Sequence, residues 1–98
     1  MARIMDRPAR TGSEEGRRLA FTLGAVAGGD AAAMADLYGR TSAKLYGICL
    51  RILGSEAEAE EALQDTYVTV WRKAAVFNEA KASAITWLAV MARNKAIL

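Results

Sequence analysis

The sequence predicts an all-α domain, a compact bundle of four helices, and three observations carry that expectation. Apolar residues recur at steps of three and four in four separate stretches. Much of the 53% apolar fraction is alanine, and the only proline is Pro8, which favours helices over strands. No stretch alternates apolar and polar residues over strand-like lengths. Ninety-eight residues suit one domain with a single core.

Residues 1–12 carry Arg3, Arg7 and Arg10 beside Pro8 and Gly12 and read as a disordered lead-in to a helical domain of residues 13–98. An arginine-rich arm touching nucleic acid is the alternative. Thr11 with Glu14 forms a capping box, after which Leu19, Leu23 and Val26 recur at helical spacing. Gly28-Gly29 stops this first helix. Asp30 is a good N-cap for the second. There Met34, Leu37, Thr41, Leu45, Ile48 and Ile52 form one long stripe, widened by Tyr38, Tyr46, Cys49 and Leu53, so packing on more than one side is expected. Cys49 within that stripe reads as a buried, inert thiol.

Gly54 ends the second helix, and Ser55 with Glu58 makes another capping box. In the third helix Ala59, Leu63, Thr66 or Tyr67, Val70, Ala74 and Phe77 face inward. Glu60, Glu61, Gln64, Asp65, Val68 and Arg72 are left outside. A solvated face is the plain account, but Val68, joined by Trp71, interrupts the polar side and points to a contact surface. Residues 78–83 form a loop closed by Ser83 as N-cap. In the fourth helix Ile85, Leu88, Ala89, Ala92 and Ala96 suit the core, while Trp87, Met91, Asn94 and Leu98 fall on another line flanked by Arg93 and Lys95.

Charge is sorted along the second half. Residues 55–65 hold Glu56, Glu58, Glu60, Glu61 and Asp65 with no base; residues 66–98 hold Arg72, Lys73, Lys81, Arg93 and Lys95 against Glu79 alone. Such a domain is suited to hold one basic and one anionic partner at once. The whole chain carries only +2, so any nucleic-acid surface must be local. Histidine is absent, which removes the commonest general base and zinc ligand. Nothing pairs a nucleophile with a base; no enzyme activity, metal or cofactor is expected. Cys49 is the only cysteine, which fits a reducing compartment. No apolar run approaches the roughly 20 residues that span a bilayer, and no signal-peptide pattern opens the chain. A cytoplasmic protein without a membrane partner is expected.

Three segments together resemble region 2 of the bacterial sigma-70 family, in its compact extracytoplasmic-function branch. They are LYGRTSAKLYGICLRILGSEAEAEEALQDTYVTVWRKAAVF over residues 37–77, the loop leading to Ser83, and ITWLAVMARNKAI near the end. LGAVAGGDAAAMADLY also matches the family's first helix and turn, so the likeness covers about residues 17–97.

The resemblance implies a sigma factor domain of the four-helix region 2 type that works in transcription initiation without catalysis. It implies that the third helix binds the clamp coiled coil of the largest subunit of core RNA polymerase through Glu61, Gln64, Asp65, Val68 and Arg72. Carboxylates and a glutamine suit an arginine-rich partner helix, and Val68 supplies a dry centre. It also implies that the loop and last helix hold the melted promoter −10 element, mainly the non-template strand, with a base turned into a pocket. Lys81, Arg93 and Lys95 then serve phosphates, while Asn78, Ser83 and Asn94 read a base edge. Asn94 is the foremost reader, because a carboxamide both donates and accepts. Trp87 is either a wall at the upstream fork or a core anchor.

Ala82 stands where many relatives have glycine, so a stiffer or differently bent loop is expected. The resemblance further implies a piece of a longer two-domain factor whose helix-turn-helix domain is absent, and an anti-sigma partner. The competing reading is a helical protein-interaction module that docks a regulatory partner without binding nucleic acid.

Overall fold

The computed structural model describes the backbone of residues 3–98 and side chains from residue 14 onward. The chain forms α1 (Arg3–Ala27), α2 (Ala31–Leu53), α3 (Glu56–Lys73), a 3₁₀ turn (Ala74–Val76) and α4 (Ala84–Ile97). There is no strand among the described residues, and the expected all-α, four-helix class is the one found. Helix α1 begins upstream of the Thr11–Glu14 box on which the sequence placed its start. The lead-in expected over residues 1–12, with its arginines, lies outside the residues whose side chains are described.

Helix ends follow local chemistry. Past α1, the Asp30 N–H donates to the Ala25 carbonyl and the Gly29 N–H to that of Val26, with Gly29 at φ 90°. This is a Schellman closure, which needs a residue free of Cβ strain at that point. Asp30 then caps α2, its carboxylate accepting from the Ala33 N–H at 3.1 Å. Gly54, at φ 70°, donates to Leu50 and ends α2. Ser55 accepts from the Glu58 N–H and Ser83 from the Thr86 N–H, starting α3 and α4. No helix among the described residues is long and apolar enough to cross a membrane.

Helix α2 packs against α1, α3 and α4, and its buried line is Leu37, Thr41, Leu45 and Cys49. The expected stripe through Ile48 and Ile52 is therefore corrected at its end: Ile48 is half-buried and Ile52 is 41% exposed. A repeat of four residues turns about 40° further round a helix at each step. The seam thus winds from Tyr67 of α3, hydrogen-bonded to Thr41, toward α4. Cys49 ends on α4, its Sγ 3.8 Å from the Ala92 carbonyl, and burial pushes its thiol up; the sulfur is a packing element. Alanines at 59, 62, 84, 92 and 96 are buried, allowing close helix approach. Phe77, expected to continue α3 inward, sits past the 3₁₀ turn in extended conformation.

One buried polar pair sets a pH dependence. The Thr41 hydroxyl donates to the Leu37 carbonyl at 2.8 Å, which uses its single proton, so the Tyr67 hydroxyl donates in the Thr41–Tyr67 bond. Burial pushes the Tyr67 phenol up from 10.0 to about 12. The unfolded chain releases this proton first as pH rises. Stability from the neutral phenol is complete below pH 10 and is lost between pH 10 and about 12. Tyr67→Phe should be less stable at neutral pH by about 1 kcal/mol. In urea melts at rising pH, the gap between wild type and Tyr67→Phe should close above pH 10; a constant gap would contradict the assignment.

Candidate functional site

The acidic face is built by α3 alone. Ala59, Leu63, Thr66, Tyr67 and Val70 are buried, which turns the opposite side outward. Glu61, Gln64, Asp65, Val68 and Arg72 are all exposed there, at steps of three, one, three and four that share one helical face. Val68 is 50% exposed and Trp71, at the edge of this face, 43%. Trp71 widens the apolar centre around Val68, as the sequence suggested. Among the described residues, none of Glu56, Glu58, Glu60, Glu61 and Asp65 has an ion-pair partner; the two bridges are Arg18–Glu15 and Arg40–Asp36. The carboxylates are thus not consumed within the described fold. Gln64 also borders a cleft of about 540 Å³ between α2 and α3, with Tyr38, Ser42, Tyr46 and Glu60.

The expected strand-binding residues fall into three places. Trp87, Asn94 and Lys95 line one cleft of about 400 Å³, together with Thr69 and Lys73 of α3, Val76 of the 3₁₀ turn, and Met91 and Leu98. The line Trp87, Met91, Asn94, Leu98 seen in the sequence is one wall of this cleft. Lys73 and Thr69 were not assigned to it, because only the juxtaposition of α3 and α4 brings them there. Trp87 is half-buried and packs on Phe77 with ring centroids 5.4 Å apart and planes at 56°. Its ring thus packs on the core and also lines the cleft.

Arg93 is exposed but lies elsewhere, in a cleft of about 410 Å³ with Arg51, Ile48, Ile52 and Thr86. Val90, 52% exposed, borders both clefts. Arg93 and Asn94 are neighbours in sequence and separated by that ridge in space.

Asn78, Lys81 and Ser83 are exposed in the loop before α4. Asn78 Oδ1 accepts from the Ala80 N–H at 2.9 Å, and its carbonyl accepts from Lys81 and Ala82. Ser83 Oγ accepts from the Thr86 N–H and donates to Thr86 Oγ1 at 2.9 Å. These oxygens shape the turn and cap the helix, which leaves Lys81 as the loop's cation, two residues from the exposed carboxylate of Glu79. Among the described residues no non-glycine has positive φ, so Ala82 sits without the strain that would demand glycine. No cluster of potential metal ligands occurs among the described residues.

A family model for Sigma-70 region 2 matches residues 37–97; residues 17–36, also included in the likeness read from sequence, lie outside that span. The ECF RNA polymerase sigma factor SigK of Mycobacterium tuberculosis (strain H37Rv) is 43% identical over 72 residues, which is 74% of this chain and 38% of that protein. The SigK of Mycolicibacterium vanbaalenii (strain PYR-1) is 40% identical over 72 residues, 37% of its length. That of Mycobacterium sp. (strain KMS) is 38% identical over the same length. The chain spans less than two thirds of each of these relatives.

Proposed function

This chain belongs to the sigma-70 family, as a region 2 domain of its extracytoplasmic-function branch, and from that premise we propose that it binds core RNA polymerase through α3 and the melted promoter −10 strand through α4. The observation that carries this reading is the separation of unpaired charge. Carboxylates with no ion-pair partner among the described residues stand on the outer face of α3. Lys73, Lys95 and Asn94 line a cleft with the Trp87 indole on the α3–α4 side. An anionic strand needs cations for its phosphates, a flat apolar wall, and an amide for a base edge; that cleft offers all three. Arg93 and Lys81 serve phosphates to either side, and Asn78 and Ser83 act through the loop they shape. The domain performs no catalysis and works in the cytoplasm, where polymerase and promoter meet.

A second partner follows from the apolar surface around the cleft. Val76, Val90 and Leu98, which line it, are 69%, 52% and 100% exposed, which suits an anti-sigma segment covering the strand-binding side. Taken without any nucleic-acid role, the same surface is the protein-docking alternative.

Titration of a fluorescent non-template −10 oligonucleotide at low salt separates the two. Wild type should bind with a steep salt dependence, log K falling by about 0.7 per displaced counterion. Asn94→Ala should weaken binding about ten-fold. Absence of binding by wild type would support the protein-docking reading.

A further inference from the structure

The groove between α1 and α2 belongs to neither face described above. We propose that it is a second contact for single-stranded DNA, in which a base stacks on Phe21 while Arg17, Arg18 and Arg40 hold the adjoining phosphates. The groove measures about 520 Å³ and is lined by Glu14, Arg17, Arg18, Phe21, Thr22 and Arg40. Phe21 is 81% exposed, whereas Leu19, Leu23 and Val26 of the same helix are buried. The core is therefore already served, and the ring stands on the side of α1 away from it. A phenyl ring so placed gives the fold nothing and offers a flat face to a ligand.

Its surroundings select the ligand. Three guanidinium groups and one carboxylate line the groove. Arg40 Nε is held by Asp36 Oδ2 at 2.9 Å and Arg18 lies 3.9 Å from Glu15, both in exposed pairs, which a phosphate can share at little cost. Arg17 has no ion-pair partner among the described residues. The Thr22 hydroxyl donates to the Arg18 carbonyl at 2.9 Å and stays out of competition. Aromatic faces interleaved with arginine are what sequence-tolerant single-strand sites combine. An acidic peptide fits less well: a protein anchor needs a packed apolar socket, and among the described residues Phe21 is the only large apolar side chain lining the groove. No asparagine or glutamine lines it either, so the contact reads no sequence. It extends the path of an opened strand without adding to its selection.

The test is fluorescence anisotropy of a labelled oligothymidylate with wild type, Phe21→Ala, Arg17→Gln/Arg18→Gln, and each of these combined with Asn94→Ala. Phe21→Ala should lower affinity about five-fold or more. The double arginine change should reduce the salt slope by about 1.4, two contacts at about 0.7 each. Both effects should persist in the Asn94→Ala background, which separates this groove from the α4 cleft. Thermal melts should be unchanged, because the altered side chains are exposed. Wild-type affinity in Phe21→Ala would overturn the proposal. So would failure of wild type to bind oligothymidylate, loss in the arginine variant alone, or Phe21-dependent binding of polyglutamate in place of the oligonucleotide.

Discussion

Asp65→Lys is expected to abolish binding to core RNA polymerase while leaving the helical fold intact. The carboxylate stands exposed on the side of α3 opposite the buried Leu63 and Val70, and no base within the described residues neutralises it. The side chain can be inverted without disturbing the core. At an interface with an arginine-rich helix, the change replaces an attraction with a repulsion at the same spot. Like-charge juxtaposition there costs several kcal/mol, which corresponds to a loss of about 100-fold or more. Titration of labelled chain with core polymerase measures this, with a thermal melt as control. Normal binding by a folded Asp65→Lys variant would move the polymerase contact off α3.

Leu88→Ala should have the second large effect, of a different kind. Leu88 is fully buried on the helix that carries Trp87 and Asn94. Truncating such a leucine costs about 2–5 kcal/mol, against about 5–15 kcal/mol for a whole domain. The core of α4 is otherwise alanine, at 84, 92 and 96, so few neighbouring side chains can move into the space. Urea denaturation should show a lowered midpoint with the slope retained, and polymerase and strand binding should weaken together. That joint loss is the pattern of a damaged scaffold. A melt within about 0.5 kcal/mol of wild type, the range of an ordinary surface change, would contradict the packing described.

Legibility from sequence divided by the range of the interaction. Asp30, Ser55 and Ser83 each cap the helix they precede, because a cap depends on residues two or three positions away. The outer face of α3 was readable for a similar reason: one helix, one side buried, the other free. Where several elements meet, the sequence misled. The seam of α2 passes through Cys49 in place of Ile48 and Ile52 because three helices pack on it. The α3 helix stops at Lys73, and only then can Lys73 and Thr69 join Asn94 in one cleft. The parting of Arg93 from Asn94 by Val90 was likewise hidden, since adjacency along a helix places side chains about 100° apart. Phe21 was hidden by position alone: it follows Leu19 by two residues, a step that leaves the core.

At the centre of this account are two faces that act independently on one small bundle, and the polymerase affinity of Asn94→Ala, measured beside its affinity for the −10 strand, tests that most directly. The expected result is a strand affinity lowered about ten-fold with polymerase binding equal to wild type. A parallel fall in both affinities, in a variant whose melt is unchanged, would contradict it.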